Sequence, residues 1–348
     1  MTTGEQVSRN IVAGPPPQGR VMELITSLWQ THVTAAIARL GVPDQLAAGP
    51  RTADELAGAV SADVGAMARL LRAGAGLGLL EEVPPGRYAL TALGECLVTG
   101  VGTFRDYAIM MTDPFLARPL ERLAQAIATG RPAAQAALGQ DIWAYLREHP
   151  DQASHFAGAM TGLSAARAPL VAAHLDTSPY RRIVDVGGGH GVLLRALIAR
   201  TPGASGVLFD LPEVVAGAAD PAAGPAGPPI EVVGGSFFDR VPAGADLYVL
   251  AHVLCDWDDA AAVKILRNCR QAGQPRHTLA VVEALLPDRP GDALIPFLLD
   301  LHLLVTNGGK IRPAHDLRAL LARTGYQLET IVDLPGGQNI VLARALSY

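Results

Sequence analysis

The chain lacks several features that would assign it to a function class at once. It has three cysteines in 348 residues (Cys96, Cys255 and Cys269), with no CxxC and no paired spacing. Neither a disulfide framework nor a structural zinc site is expected. No His/Asp/Glu set has metal-ligand spacing, so no metal is expected either. A GxSxG hydrolase elbow is missing. So is any uninterrupted apolar run of about 18 residues, which argues against a membrane-spanning helix. The first twenty residues have no basic start followed by an apolar stretch, so no secretory signal is expected and the protein reads as soluble and cytoplasmic. Excess positive charge is absent: 28 Lys+Arg against 33 Asp+Glu leave a formal charge of −5. Nucleic acid and polybasic membrane attachment both require a basic field, so neither partner is expected.

Apolar material is plentiful. Hydrophobic residues make up 49% and charged residues 18%, enough for a sizeable core. At roughly 150 residues per domain, the length suggests about two domains.

Residues 1–18 include Pro15, Pro16 and Pro17 and read as a flexible tail. Residues 19–100 read as one unit. A helical stretch over 21–48 is punctuated by Gly41-Val42-Pro43. Thr52 is placed to cap a helix whose first turn carries Asp54 and Glu55. A second helix fits 63–80, and LEEVPPGRYALT reads as two strands around a Pro-Pro-Gly turn. Helix, helix, hairpin is a winged-helix arrangement. Its candidate recognition helix offers only Arg69 and Arg72, too little for a phosphate backbone. A surface that buries its apolar helices against a second copy is the better reading, making the protein a homodimer.

Residues 101–175 read as interrupted helices with scattered aromatics and methionines, a helical linker that contributes to a substrate pocket. From 176 to 348 the rhythm changes to β-branched runs separated by helices. This predicts an α/β Rossmann-like, doubly wound, mostly parallel sheet with an antiparallel edge hairpin formed by the last two runs. The segment 217–229 is rich in Ala, Gly and Pro and reads as a surface loop.

The sharpest motif is Asp185-Val186-Gly187-Gly188-Gly189-His190-Gly191, between the first strand of this half and the helix after it. Glycines there let the chain turn tightly and a ligand approach the backbone. The second strand ends in Phe209-Asp210-Leu211-Pro212, which puts an acid where ribose hydroxyls are bound. The spacing differs from the usual dinucleotide fingerprint, and Asp185 would repel a phosphate. A sulfonium with an amino-acid moiety fits better, which favours S-adenosyl-L-methionine (SAM) over NAD.

With these residues in view, nearly the whole chain resembles the two-domain SAM-dependent O-methyltransferases of bacterial secondary and plant phenolic metabolism. LGVPDQLAAGPRTADELA and YALTALGECL are similar to its dimerisation domain. IVDVGGGHG, LFDLPEVV, VVGGSFF, CDWDD, VVEALLPD and GGKIRP are similar to its catalytic landmarks, in the family's order. The resemblance implies that Gly187 to Gly189 pack on the methionine part of SAM, with Asp185 beside them. It also implies that Asp210 holds the ribose, that Leu211 lies near the adenine, and that Ser236 and Phe237 contact the adenine. Ser236 departs from the usual Asp. A small aromatic acceptor is implied, with Met160, His302 and Asn307 as candidate binding residues.

The main departure is at Cys255. The family usually reads His-Asp-Trp there, and that His is the general base; here the tripeptide is Cys255-Asp256-Trp257. A supporting acid falls on Ile311, while the other, Glu283, is retained. Four readings follow. Cys255 acts as a thiolate, although a free thiol has a pKa of about 8.5. His252, one helical turn earlier, replaces the base. The acceptor is an acidic phenol that ionises unaided, leaving proximity to supply most of the rate. Or the scaffold performs C- or N-methylation, or hydroxylation, decarboxylation or cyclisation. The third is favoured, because a general base is worth about 10²–10⁴-fold and its loss is tolerable for an acidic phenol.

Overall fold

The computed structural model describes residues 16–100, 102–218, 230–289 and 293–347. Pro17 opens the helix α1 (Pro17–Arg39) at its first position, where a missing N–H costs nothing. The flexible tail expected for 1–18 is thereby shortened: residues 17 and 18 are helical, and 1–15 lie outside the described residues. Gly41, at φ +66°, separates α1 from α2 (Val42–Leu46). The strand β1 (Arg51–Thr52) then leads into α3 (Ala53–Ala59), α4 (Val64–Gly76), β2 (Leu80–Glu82) and β3 (Arg87–Leu90). Thr52 and Glu55 form a full capping box, with the Glu55 carboxylate accepting from the Thr52 N–H at 2.7 Å. The three strands pair in the order β1-β3-β2 around Ile37, Leu56, Met67 and Leu71. Helix, helix, hairpin is therefore present, with β1 as a third strand not read from the sequence.

One face of α1 is covered by nothing among the described residues. Ile25, Leu28 and Trp29 lie on it, with Trp29 69% exposed. Such a row of large apolar side chains marks an interaction surface.

After α5 (Ala92–Glu95) come α6 (Arg105–Met110), α7 (Pro114–Leu120), α8 (Leu123–Thr129), α9 (Ala134–Leu138), α10 (Ile142–Glu148) and the long α11 (Pro150–His174). The first half of α11 packs Phe156 and Ala159 on Met110, Phe115 and Tyr145. Its second half contributes Ala168, Val171 and Ala172 to the core beneath the sheet. One helix thus reaches from the aromatic region to the sheet.

The sheet contains β4 (Arg182–Val186), β5 (Ser205–Asp210), β6 (Glu231–Gly234), β7 (Leu247–Ala251), β8 (Thr278–Glu283), β9 (Tyr326–Leu334) and β10 (Gln338–Ala345). Their order is β6-β5-β4-β7-β8-β10-β9. The first five strands are parallel, whereas β10 runs antiparallel to both β8 and β9. This is the Rossmann-like sheet with the edge hairpin expected. Every residue of β8 is buried, as a strand covered on both faces requires. On one face lie α12 (Val192–Ala199), α13 (Pro212–Ala218) and the end of α11. The other carries α14 (Asp259–Ala272) and, after α15 (Ile295–Thr306), α16 (Ala314–Arg323). The loop read over 217–229 begins in the last turn of α13, and 219–229 lies outside the described residues. Strand order reverses between β4 and β7, so a ligand crevice is expected at their carboxyl ends.

Candidate active site

The glycine turn follows β4 directly. Gly187 sits at φ +72°, and a Cβ there would fall 2.8 Å from Val253 Cγ2. A Cβ on Gly188 would lie 2.6 Å from Leu208 Cδ1 and 2.7 Å from the Asp185 Cγ. The surrounding side chains exclude larger residues at both positions, while Gly189, at φ +58°, has nothing within 4 Å of the place of its Cβ and leaves the backbone open there. The Gly189 N–H donates to Asp210 Oδ2 at 2.8 Å, and the Leu211 N–H donates to Oδ1 at 2.7 Å. Asp210 is thereby fixed at the rim of the turn, and Leu211 beside it is 40% exposed. Burial raises the Asp210 pKa, and these two bonds oppose the shift.

Asp185 lies under the turn, 1% exposed, and among the described residues no hydrogen bond of ordinary length reaches either oxygen. Burial, followed by repulsion from Asp210, pushes its pKa up to about 7. An orphaned acid and an open backbone fit a cationic ligand that carries hydroxyls. Gly187, Gly189 and Asp210 would hold SAM, with Asp185, sealed beneath the turn, acting on its cation by charge alone. Phe237 joins them, its ring edge 3.6 Å from the place of a Gly187 Cβ. Ser236 uses its hydroxyl within its own turn, accepting from the Phe238 N–H at 3.2 Å. His190 bonds Thr161 of α11 through Nδ1 at 2.9 Å and so ties the turn to that helix.

Across the crevice, after β7, lies the segment where the base would stand. Cys255 is 4% exposed and packs with Ala284, Leu303 and Ile311. Burial, then the Asp256 and Glu283 charges, raise its thiol well above the ordinary range, opposite to what a nucleophilic thiolate needs. His252 fares no better. Its Nε2 faces Arg167 Nη1 at 3.0 Å and accepts from it, while burial and that charge push its pKa down to about 3. A His that would take up its proton against a guanidinium is a poor base at neutral pH. The geometry therefore departs from a base role for either residue. His252 also sits at φ +56°, a conformation that costs a non-glycine residue about 1–3 kcal/mol and marks functional segments.

Glu283 ends β8. Its Oε2 accepts from the Cys255 N–H at 3.2 Å, and Oε1 has no partner among the described residues. Burial raises its pKa to about 7, opposed by Arg312. Arg312, which the sequence reading did not single out, is 1% exposed. It donates to the Leu254 and Trp257 carbonyls at 2.7 and 2.8 Å, clamping the Cys255 turn from both sides.

The acceptor side is aromatic. Trp143 stacks on Trp257 with ring centres 6.3 Å apart and meets Phe156 edge-on at 5.7 Å. Met160 and Tyr107 pack in the same group. Asn307 is not offered to this space: its amide donates to Asp256 Oδ1 at 3.3 Å and its oxygen accepts from the Gly309 N–H at 3.1 Å. It ties the loop after α15 to the Cys255 turn. His302 lies on α15, and burial lowers its pKa. Arg167 of α11 is the other residue the sequence reading missed. A lone Arg in a helical stretch carries no local signal, and its partner His252 lies 85 positions away.

Fold, glycine turn and paired acids define a SAM-dependent methyltransferase. The O-methyltransferase domain matches residues 120–327, and the O-methyltransferase dimerisation domain matches residues 22–100. The chain belongs to the O-methyltransferase family, with SAM as its cofactor and a second copy of itself as partner. A phenazine O-methyltransferase of Lysobacter antibioticus is 34% identical over 346 residues, covering 98% of this chain and 100% of that protein. A phenazine-1-carboxylate N-methyltransferase of Pseudomonas aeruginosa is 30% identical and covers 93% of this chain and 96% of that protein. The crystal structure described as LaPhzM superposes with a TM-score of 0.91 at 34% identity, covering 95% of this chain and 100% of that one. Solved structures of the family include SAM complexes. Among the described residues no helix is long and apolar enough to cross a membrane.

Proposed function

We propose that this protein methylates an aromatic hydroxyl of a natural-product intermediate, without a side-chain base. The observation that carries the reading is the apolar seat of Cys255 against Ile311, Ala284 and Leu303, where a base would have to stand. Bound SAM supplies an electrophilic methyl on a sulfonium. Asp210 holds the ribose end of that cofactor, and the buried Asp185 favours its cationic end by charge from beneath the turn. Trp257, Trp143 and Phe156 give an acceptor ring a flat apolar face and exclude water from the crevice. Met160 borders the same space, and His302 of α15 is the further acceptor contact in this reading. Glu283, Arg312 and Asn307 fix the Cys255 turn and take no substrate proton. The acceptor hydroxyl is acidic enough to lose its proton to solvent, and alignment with the methyl then supplies the rate.

One observation favours a second reading, transfer to nitrogen. A ring or amine nitrogen attacks through its own lone pair, needs no base, and is the acceptor type named for one relative. Incubation with SAM and a panel of phenols and aromatic amines separates the two. The expected product gains one methyl, located on oxygen by fragmentation. A methyl on nitrogen selects the second reading. An unmethylated product overturns both.

A further inference from the structure

Arg167 projects from α11 toward the Cys255 side of the crevice. It is half-buried, and burial lowers its pKa, opposed by the neighbouring Tyr107 and Cys255 groups. Among the described residues it forms no ion pair; its hydrogen-bond partner is the neutral His252 ring. A half-buried guanidinium with no countercharge is unfavourable unless something else supplies the charge. Accepting from Arg167, His252 holds one Nη and stays neutral, so the cation is not cancelled. The Nε and Nη2 edge of the fork remains, and that edge suits an anionic oxygen. Besides His252, the Tyr107 and Cys255 groups act on its charge, and Tyr107 belongs to the aromatic cluster of Trp143, Phe156 and Met160, which turns the guanidinium toward the acceptor side.

Resting on the reading of a base-free transfer, we infer that Arg167 binds the acceptor as its anion. It holds the ionised hydroxyl, or an oxygen conjugated with it, and takes over by electrostatics the work of the missing base. An opposite charge within about 4–6 Å lowers an acid's pKa by roughly 1–3 units, a tenfold to thousandfold gain in anion at a given pH. The balance closes without another reagent. The hydroxyl proton goes to water as the acceptor binds. The phenolate oxygen then forms a bond to the methyl carbon while the carbon–sulfur bond breaks. Phenolate and sulfonium charges disappear together, leaving a neutral ether and a thioether. With the anion gone, the hold of Arg167 on the product weakens, which favours release.

The test uses 4-nitrophenol and 4-nitro-1-naphthol, whose phenolates absorb visible light, with the full-length protein saturated with S-adenosylhomocysteine. Spectroscopic titration reads the pKa of the bound probe. In the unaltered protein at least one probe should bind with its pKa lowered by one unit or more. Arg167→Gln should abolish that shift, and Arg167→Lys should keep part of it. SAM affinity, measured by calorimetry, should change less than threefold in both. The inference is overturned if no probe binds as its anion, if the shift survives in Arg167→Gln, or if SAM affinity falls in step with it. That last result would assign the cation to the cofactor carboxylate. Failure of the unaltered protein to bind SAM would instead strike the methyltransferase reading. SAM binding and methyl transfer without a probe shift would strike this inference alone.

Discussion

The two sides of the crevice are built on opposite principles. On the β4–β5 side, function lies in backbone and charge: two glycines that admit no Cβ, an orphaned Asp185, and Asp210 fastened by two N–H groups. On the β7–β8 side, the position expected to carry a base is filled by Cys255 and Ile311 in an apolar cluster. Around that cluster stand polar residues that support the turn, namely Glu283, Arg312 and Asn307. The cofactor side is built from tight backbone and charge, whereas the β7–β8 side presents packing at the Cys255 position. On the proposed reading, the polar residues around Cys255 hold the turn in place without taking a proton themselves.

Perturbing the cofactor side should have the largest effect. Asp210→Ala frees the Gly189 and Leu211 N–H groups and takes away the acid proposed to bind the ribose, and charge-assisted bonds of this kind are worth about 1.5–3 kcal/mol each. SAM affinity by calorimetry should fall about a hundredfold or more. A loss below tenfold would mean the turn holds the ligand without this acid.

The next effect is on stability and should touch both sides. Burial pushes Asp185, Asp256 and Glu283 up to about 7. A carboxyl with a folded pKa above its unfolded value binds its proton more tightly in the native state. Its contribution is present at low pH and is lost as pH rises from about 4 to 7. The ligand-free protein should therefore melt several degrees higher at pH 6 than at pH 8. SAM should narrow the gap, because a cation beside Asp185 favours its ionised form. A higher Tm at pH 8 without ligand would contradict this.

The smallest effect is expected at the position a sequence comparison would single out first. Cys255→Ala should lower kcat/KM less than tenfold. A hundredfold loss with folding and SAM affinity intact would restore a chemical role for the thiol.

The same contrast governs what could be read from the sequence. The glycine turn and Asp210 were legible because tight backbone geometry leaves a local residue signature. Alternation of β-branched runs and helices marked the sheet and its edge hairpin, and the capped helix at Thr52 marked the winged-helix unit. Polar side chains whose partners lie far along the chain were not legible. Arg167 meets His252 across 85 positions, and Arg312 reaches back 58 to the Leu254 carbonyl. Asn307, read as a candidate acceptor contact, faces Asp256 and Gly309 instead, a pairing only the folded loop creates. The proline run before α1 read as tail because Pro breaks helices internally, yet at the first helical position it starts one.

The central claim is that the acceptor, not a side chain at Cys255 or His252, sets the proton balance of the reaction. It is tested most directly by the pH dependence of kcat/KM for two phenols of the same shape whose own pKa values differ by about two units. If the acceptor ionises unaided by a side-chain base, the acid limb moves with the phenol by the same interval. A limb fixed at one pH for both phenols would show a titrating group of the protein taking the proton, and would contradict the account.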